Sequence, residues 1–445
     1  MVKTRWLAAL LVALAGFPVA ARAADPDGSV VNEILGLLKE RGIVDDAEYE
    51  RLAAKNKAYE QKQETRLPKL SFYGDARLRY EGFRYDPQDG TAAPADRDRA
   101  RYRIRLGAMA EINDHVSAGL RLASGEDDSR SANVSFGNRV DFAPDRIFLD
   151  QGWIQFRPFT KESMPLEGGT LSITAGKVAN PFRWNVGPDY MLWDADITPS
   201  GVSLELGARP FSNLRWFANA GYFIIQENSA TSDPHMTAAQ VGAELTPIAD
   251  LALGGRVSWY GFQSLNASFL ARGVDSSTAA PPTPATKAGG NLPGGLTGDP
   301  TGGSANVGET SLYVTWKGIE DWPITAFADV SENFDAASTP GAGKNELAYG
   351  AGVELGDKAR WVRLGAGWWH LEANAFPSQF VDSDLLDGFT NREGWTFYAV
   401  RQLFKNTDLK VELFGSGPIR EGSAFATSVA GSDRLRFRTD IDVKF

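Results

Sequence analysis

Apolar and charged residues alternate along the last thirteen residues of the chain, Asp433–Phe445. Alternate positions are apolar or nearly so: Leu435, Phe437, Thr439, Ile441, Val443 and Phe445. The positions between them are all charged: Arg436, Arg438, Asp440, Asp442 and Lys444. A period of two residues predicts a β-strand with one apolar and one charged face. Such a strand suits the wall of a transmembrane barrel that has lipid outside and water inside.

The same period begins at Leu70 and predicts about 16 antiparallel strands, with 14 to 18 compatible with the pattern. They cover residues 70–83, 101–112, 116–123, 146–157, 170–177, 201–208, 214–226, 237–246, 251–262, 310–316, 324–333, 346–355, 360–371, 395–402, 408–414 and 433–445. We therefore predict an all-β transmembrane barrel over residues 68–445. An even number of strands places both ends of the barrel on one side of the membrane, the periplasm. A barrel of this size has an aqueous lumen.

The connections between predicted strands differ in length at the two ends of the barrel. Residues 84–98 form a long polar connection, whereas the turn at Asn113-Asp114 is short, and long loops outside with short periplasmic turns are typical of outer-membrane barrels. Residues 263–307 are rich in Gly, Pro, Ser, Thr and Ala and cannot build a core. We predict that this stretch is a mobile extracellular loop.

The residues before the barrel predict export and a small helical unit. Residues 1–23 have the three parts of a signal peptide: Lys3 and Arg5, an apolar run, and Ala21-Arg22-Ala23 as the cleavage site. In residues 24–67 apolar residues recur at three- and four-residue spacing, which predicts a short periplasmic helical hairpin or coiled segment. A role in oligomerisation or cell-wall contact and a simple tether both fit this segment.

Composition narrows the class of protein. The chain has no cysteine, which excludes disulfide bonds and thiolate metal sites, and it holds 25 Phe, 12 Trp and 12 Tyr, which suit the aromatic girdles of a barrel. The predicted signal contains three of the 46 basic residues, so the mature chain has 43 basic and 56 acidic residues and a net charge of −13. This acidity argues against a nucleic-acid partner.

Motifs in the middle of the chain resemble those of a known family. Gly176-Lys177 is followed by Asn180-Pro181-Phe182 and then by Trp193-Asp194-Ala195-Asp196, ending at Pro199-Ser200-Gly201. This pattern is similar to that of the putative porin family of Gram-negative outer membranes. The terminal Phe445 also resembles the ends of outer-membrane barrels, where it is part of the signal that the assembly machinery reads.

The resemblance implies a passive diffusion channel for small hydrophilic solutes in the outer membrane. It further implies that the chain contacts outer-membrane lipid and the barrel assembly machinery, and it suggests a homotrimer by analogy with large porins. It implies no particular binding residue, cofactor or solute.

The loop over residues 178–200 carries candidate site residues: Asp189, Trp193, Asp194 and Asp196. Its aromatic and aliphatic residues are too apolar for a loop in water, so we expect it to pack against or into the barrel. Two interpretations remain open: a constriction loop inside the channel, or a latch over the barrel mouth.

The charged faces of neighbouring strands predict an arginine-lined wall. If the first and last strands pair, four consecutive strands place these arginines toward the lumen: Arg77, Arg79, Arg101, Arg103, Arg105, Arg121, Arg436 and Arg438. They outnumber the acids of the same faces, namely Asp75, Glu81, Glu111, Asp440 and Asp442. The excess predicts a positive strip that favours anionic or zwitterionic solutes. Local pairing with those acids would instead leave the strip electrically quiet.

Catalysis, metals and cofactors are not predicted. His115, His235 and His370 fall in separate turns, loops or strand ends, and no hydrolase motif is present. The stretch Asp382–Gly388 resembles a calcium loop but has Leu386 at its fifth ligand position. The alternative function is a structural or partner-sheathing barrel without an open channel.

Overall fold

The computed structural model describes residues 28–64, 68–87, 95–125, 129–182, 191–229, 232–266, 289–292, 295–296, 302–320, 322–339, 341–420 and 432–445. The predicted signal peptide and Asp189 lie outside these ranges, as do residues 267–288 of the predicted long loop. The chain divides into two compact units, which meet in sequence between Pro68 and Lys69.

The first unit is a pair of helices, α1 (Gly28–Glu40) and α2 (Asp46–Glu64). Gly42 has a positive φ of 65° after α1, where a residue without Cβ ends a helix at little cost. The Oδ1 atom of Asp45 accepts a 2.8 Å hydrogen bond from the backbone N–H of Glu48, which caps α2. Lys39 and Asp46 join the two helices by a 2.9 Å ion pair. The two predicted helices are therefore present.

The second unit is a closed antiparallel β-barrel of 16 strands. The strands are β1 (Lys69–Pro87), β2 (Arg97–Asn113), β3 (Val116–Ser124), β4 (Ile147–Phe156), β5 (Thr170–Lys177), β6 (Ser200–Phe211), β7 (Leu214–Ile224), β8 (His235–Ile248), β9 (Leu251–Asn266), β10 (Gly302–Trp316), β11 (Ile324–Asn333), β12 (Leu347–Leu355), β13 (Arg363–Leu371), β14 (Arg392–Phe404), β15 (Thr407–Pro418) and β16 (Ser432–Lys444). An extra two-residue strand, Val134–Ser135, pairs with β2. The predicted fold class is confirmed, and each predicted strand overlaps one observed strand.

Pairing between β1 and β16 closes the barrel. Leu78 lies opposite Ile441 in this pair. The backbone of Phe445 exchanges two hydrogen bonds with that of Gly74, at 2.8 and 3.1 Å. Closure matters because each unpaired backbone group at an open edge in lipid would cost several kcal/mol.

The alternation of the sequence separates the two faces of the wall. On β1, Phe72 and Leu78 are 75% and 43% exposed, whereas Arg79 and Glu81 are 4% and 0% exposed. Apolar side chains thus point outward and charged ones inward, the reverse of a soluble barrel. Among the described residues, no helix is long and apolar enough to cross a membrane.

The two ends of the barrel differ as predicted. Tight turns at residues 114–115, 212–213, 249–250 and 405–406 join strands at the end that carries Phe445. At the other end, residues 125–146, 178–199 and 372–391 form long connections. Parts of these three connections are buried among the strands, and they build the site described next.

Candidate functional site

Arginines of adjoining strands form one wall of the lumen. In the pairing of β1 with β2, Arg77 lies opposite Arg103 and Arg79 lies opposite Arg101. On the other side of β1, Arg79 lies opposite Asp440 of β16. Because neighbouring strands are ~4.8 Å apart, these guanidinium groups lie close enough to share carboxylates.

Each of the eight predicted arginines forms an ion pair with at least one carboxylate. Asp75 accepts from Arg103 at 2.8 Å and from Arg105 at 2.7 Å. Glu81 accepts from Arg99 at 2.6 Å and is also paired with Arg436. Four further partners are not among the five acids that the strand pattern predicts: Asp150, Asp196, Asp384 and Glu412. The wall is therefore more completely paired than the strand pattern alone predicts.

The loop at residues 178–199 supplies one of these acids from inside the barrel. Asp196 accepts from Arg103 at 3.3 Å and from Arg105 at 3.2 Å, and also from the backbone N–H of Ala132 at 3.0 Å. Asp194 is 3% exposed and accepts from the backbone N–H groups of Asp196 and Ser383, both at 2.8 Å. Of the predicted loop residues, Trp193 and Asp194 are thus buried within the barrel, and the side chain of Asp196 is 11% exposed.

The two aspartates of this loop differ in their tendency to ionise. Burial, and then the neighbouring carboxylate of Asp196, raise the pKa of Asp194 to about 7. Burial acts in the same direction on Asp196, but Arg103 and Arg105 outweigh it and lower the pKa of Asp196 below its usual value. At neutral pH, Asp196 is ionised while Asp194 is close to its titration midpoint.

A second inward loop, residues 372–391, was not predicted as part of the site. Asp382 caps a turn by accepting from the backbone N–H groups of Asp384 and Leu385, both at 2.8 Å. This turn points Asp384 at the arginine wall, where it pairs with Arg79 at 3.3 Å and with Arg436 at 2.8 Å. The stretch that resembles a calcium loop therefore supplies a counter-ion to arginines. Among the described residues, no group of three or more His, Asp or Glu side chains could hold a metal ion.

Arg130 joins this second loop to the connection at residues 125–146 by hydrogen bonds. Its Nη1 atom donates to the backbone carbonyl oxygens of Ser378, Val381 and Gly388, at 3.1, 3.1 and 2.9 Å. Arg130 belongs to the connection at residues 125–146, so three long loops meet inside the barrel. The signal that could have revealed the second loop is its composition, since Phe376, Val381, Leu385 and Leu386 are too apolar for a solvated loop.

Aromatic packing holds both loops against the strands opposite the arginine wall. The ring of Trp193 lies 5.5 Å from that of Tyr260 and 5.1 Å from that of Phe376. Phe262 on β9 packs on Phe376 at 5.4 Å and on Phe380 at 5.6 Å. Buried residues of β7 to β13 complete this cluster. At the level of these loops, the described lumen is therefore mainly apolar on one side and charged on the other.

Between the inward loops and the charged wall lies a cavity of about 390 Å³, here called the arginine cavity. Nine cationic side chains of the described residues line it: Arg77, Arg79, Arg101, Arg103, Arg105, Arg121, Arg130, Lys410 and Arg438. Five carboxylates line it as well: Asp194, Asp196, Asp382, Asp384 and Asp440. Seven of the eight predicted arginines are thus brought together, and Arg436 is not among the lining residues.

Comparisons with known proteins bear on the family and the fold. Residues 91–288 match the family model described as a putative porin. OprB of Pseudomonas putida, in a high-pH structure, aligns with a TM-score of 0.50 at 12% identity, over 84% of this chain and 94% of that chain. DcaP of Acinetobacter baumannii, described as an outer membrane channel, aligns with a TM-score of 0.45 at 10% identity, over 84% and 97% of the two chains.

The match to the family model confirms the resemblance that the sequence motifs indicate. At 12% identity the likeness to OprB establishes the fold alone. Among curated proteins, no sequence matches the chain significantly.

Proposed function

Because the chain matches the putative porin family and folds as a porin-type barrel, we propose that it is an outer-membrane porin. It provides passive diffusion for small hydrophilic solutes. The arginine cavity is the selective part of the path, and it favours anionic or zwitterionic solutes.

The charge of the arginine cavity carries this proposal. Among the described residues that line it, nine cations exceed five carboxylates by four, although the whole chain has a net charge of −10. Guanidinium groups stay charged at any physiological pH and present forked donors that suit carboxylate and phosphate oxygens. An excess of positive charge in a narrow cavity with low-dielectric walls concentrates anions there.

Five carboxylates outside the lining pair with its cations and offset most of this excess: Asp75, Glu81, Asp150, Glu412 and Asp442. What the wall then offers a solute is chiefly the guanidinium donors that ion pairing leaves unused. Arg101, for example, pairs with Glu81 at 3.7 Å while its Nη2 atom donates to the carbonyl oxygen of Asn133 at 2.9 Å. A guanidinium has five N–H donors, so a paired arginine keeps donors that a passing solute can use. Carboxylates on the loop side favour zwitterions, because the cationic end of such a solute can face Asp196 or Asp384.

The remaining assignments complete the proposal. The barrel lies in outer-membrane lipid, α1 and α2 lie in the periplasm, and the protomers form a homotrimer. Phe445, paired with Gly74 and 59% exposed, is read by the barrel assembly machinery during insertion. No chemical step is part of this function.

A second candidate is a structural or partner-sheathing barrel without an open channel. The observation that favours it is the density of the loop packing, in which Trp193, Phe376 and Leu386 are at most 2% exposed. A barrel sealed by its loops would conduct no ions in any condition that leaves it folded.

Single-channel recording in a planar lipid bilayer separates these two candidates. The purified barrel should insert and give discrete conductance steps in KCl, and liposomes that contain it should swell in small uncharged solutes. A heat-denatured sample serves as the control for leakage. A folded, inserted barrel without conductance steps would contradict the porin function and favour the sealed barrel.

A further inference from the structure

A second cavity, of about 530 Å³, adjoins the arginine cavity. We call it the aromatic cavity because of its main lining residues: Trp193, Phe223, Ile225, Met236, Phe262 and Phe380. The porin function proposed above has no use for it, since small hydrophilic solutes gain nothing from an apolar lining. A cavity lined by apolar side chains with a few polar groups at one end is the usual form of a small-molecule site.

The two cavities share one boundary. Residues that line both are Arg130, Ser131, Asp196, Ile197 and Thr198. A solute that fills the aromatic cavity therefore has one end beside Arg130 and Asp196, at the boundary with the arginine cavity. Lys177 also lines the aromatic cavity, and its Nζ atom donates to the carbonyl oxygen of Thr198 at 2.9 Å. The ammonium group of a lysine has three donors, so this bond leaves others for a ligand.

Trp193 provides an independent sign of a ligand. Its side chain is almost fully buried, 2% exposed, and its Nε1 donor finds no acceptor among the described residues. A buried donor without a partner is costly, and such groups in native structures need an explanation. A ligand oxygen in the aromatic cavity would supply the missing acceptor.

The strands beside the aromatic cavity are short. Strand β5 ends at Lys177 and β6 begins opposite it at Ser200, whereas β4 continues for five more residues from Gln151 to Ile147. Leu149 and Ile224, which line the cavity at this rim, are 58% and 43% exposed. These two side chains place the described part of the aromatic cavity at the rim of the barrel.

We propose that the two cavities together bind an amphiphilic organic anion, with an aromatic or short alkyl body and a carboxylate head. The apolar body lies in the aromatic cavity, and the carboxylate faces Lys177 and the arginine cavity. The inference rests on the proposed porin function and deepens it by naming the solute class that the channel retains.

Binding of three probes to the detergent-solubilised, full-length barrel tests the inference by isothermal titration calorimetry. The probes are 2-naphthoate, acetate as the head without the body, and 2-naphthylmethylammonium as the same body with a cationic head. Naphthoate should bind roughly tenfold or more tightly than either of the others, because only it satisfies both cavities. Equal binding of the two naphthyl probes would mean apolar partition alone and would overturn the proposal.

Paired variants locate the site. Ile225→Ser with Phe380→Ser removes apolar lining at two half-buried positions and should abolish the advantage of naphthoate over acetate. Ile319→Ser with Phe334→Ser is the matched control, because these residues are exposed and line neither cavity, and it should change nothing. Naphthoate binding that survives the first pair, in protein that is still folded by circular dichroism, contradicts the site.

Channel recording on the same preparations keeps the two claims apart. An anion-selective channel without tight naphthoate binding would sink the amphiphile site and leave the porin function standing. Naphthoate binding by a barrel that does not conduct would contradict the porin function and leave the amphiphile site standing.

Discussion

At the scale of single residues, the lumen is organised by carboxylates that each hold several arginines. Glu81 is fully buried and is paired with Arg99, Arg101 and Arg436, and Asp384 is paired with Arg79, Arg436 and Arg438. A buried ion pair gives little net stability when it is compared with apolar packing, but the loss of one partner leaves an uncompensated charge. These two acids therefore fix the geometry of the arginine wall.

Replacing Glu81 with Gln should destabilise the barrel. The change leaves the buried Arg436 and the partly buried Arg99 and Arg101 without their shared counter-ion. We therefore expect the free energy of unfolding to fall by about 3 kcal/mol. Urea denaturation in detergent measures it. Glu111→Gln is the matched control, because Glu111 is 41% exposed and contacts Lys69 only at 3.9 Å, so its loss should cost under about 1 kcal/mol. Equal effects of the two variants would show that Glu81 has no special role.

Asp194 should make the selectivity of the channel depend on pH. Its raised pKa, about 7, means that a fall from pH 8 to pH 6 neutralises this carboxylate and increases the net positive charge of the arginine cavity. Anion preference, read from the reversal potential, should therefore rise as pH falls. The Asp194→Asn channel should show the low-pH reversal potential at every pH. Asp233 does not line the arginine cavity, so the reversal potential of Asp233→Asn should still depend on pH. A pH-independent wild-type channel would contradict this assignment.

At the scale of elements, the strands were predictable and the loop positions were not. The alternation of Arg77, Arg79 and Glu81 with apolar residues fixes which face of β1 points inward, because a slip of one residue would reverse every side chain. Asp384, by contrast, lies in a loop without periodicity, and its ion pairs with Arg79 and Arg436 are to residues far away in sequence. No local pattern predicts the ion pair between Asp384 and Arg79, because it depends on how the apolar side chains of the loop at residues 372–391 pack.

Loosening the second inward loop should widen the channel. Arg130→Ala removes a guanidinium that donates to three backbone carbonyl oxygens of this loop. We expect higher and noisier single-channel conductance, together with faster proteolysis within residues 372–391. Arg209→Ala, a change at an exposed arginine outside both cavities, should alter neither quantity. Unchanged conductance in Arg130→Ala would mean that this loop does not narrow the path.

At the scale of the whole molecule, the fold separates charges that the composition mixes. The chain is acidic overall, with a net charge of −10, yet seven arginines of the sequence-predicted wall gather around one cavity. Barrel closure produces this separation, because it makes β16, β1, β2 and β3 consecutive neighbours. At the level of the inward loops, the packing of two loops on the opposite strands leaves open space on the arginine side and in the aromatic cavity. A further cavity of about 580 Å³, with Glu205, Glu244 and Glu354 among its lining residues, lies between strands β5 to β12.

The reversal potential of single channels in a KCl gradient tests the central claim most directly. The wild-type channel should give a reversal potential whose sign shows a preference for chloride over potassium. When Arg77, Arg79, Arg101 and Arg103 are all replaced by Gln, the reversal potential should shift toward the equilibrium potential of potassium. Replacing the exposed Arg84 and Arg209 by Gln is the control and should leave the potential unchanged. A wild-type channel that prefers potassium, or a fourfold variant with an unaltered potential, would contradict an arginine-lined, anion-favouring pore.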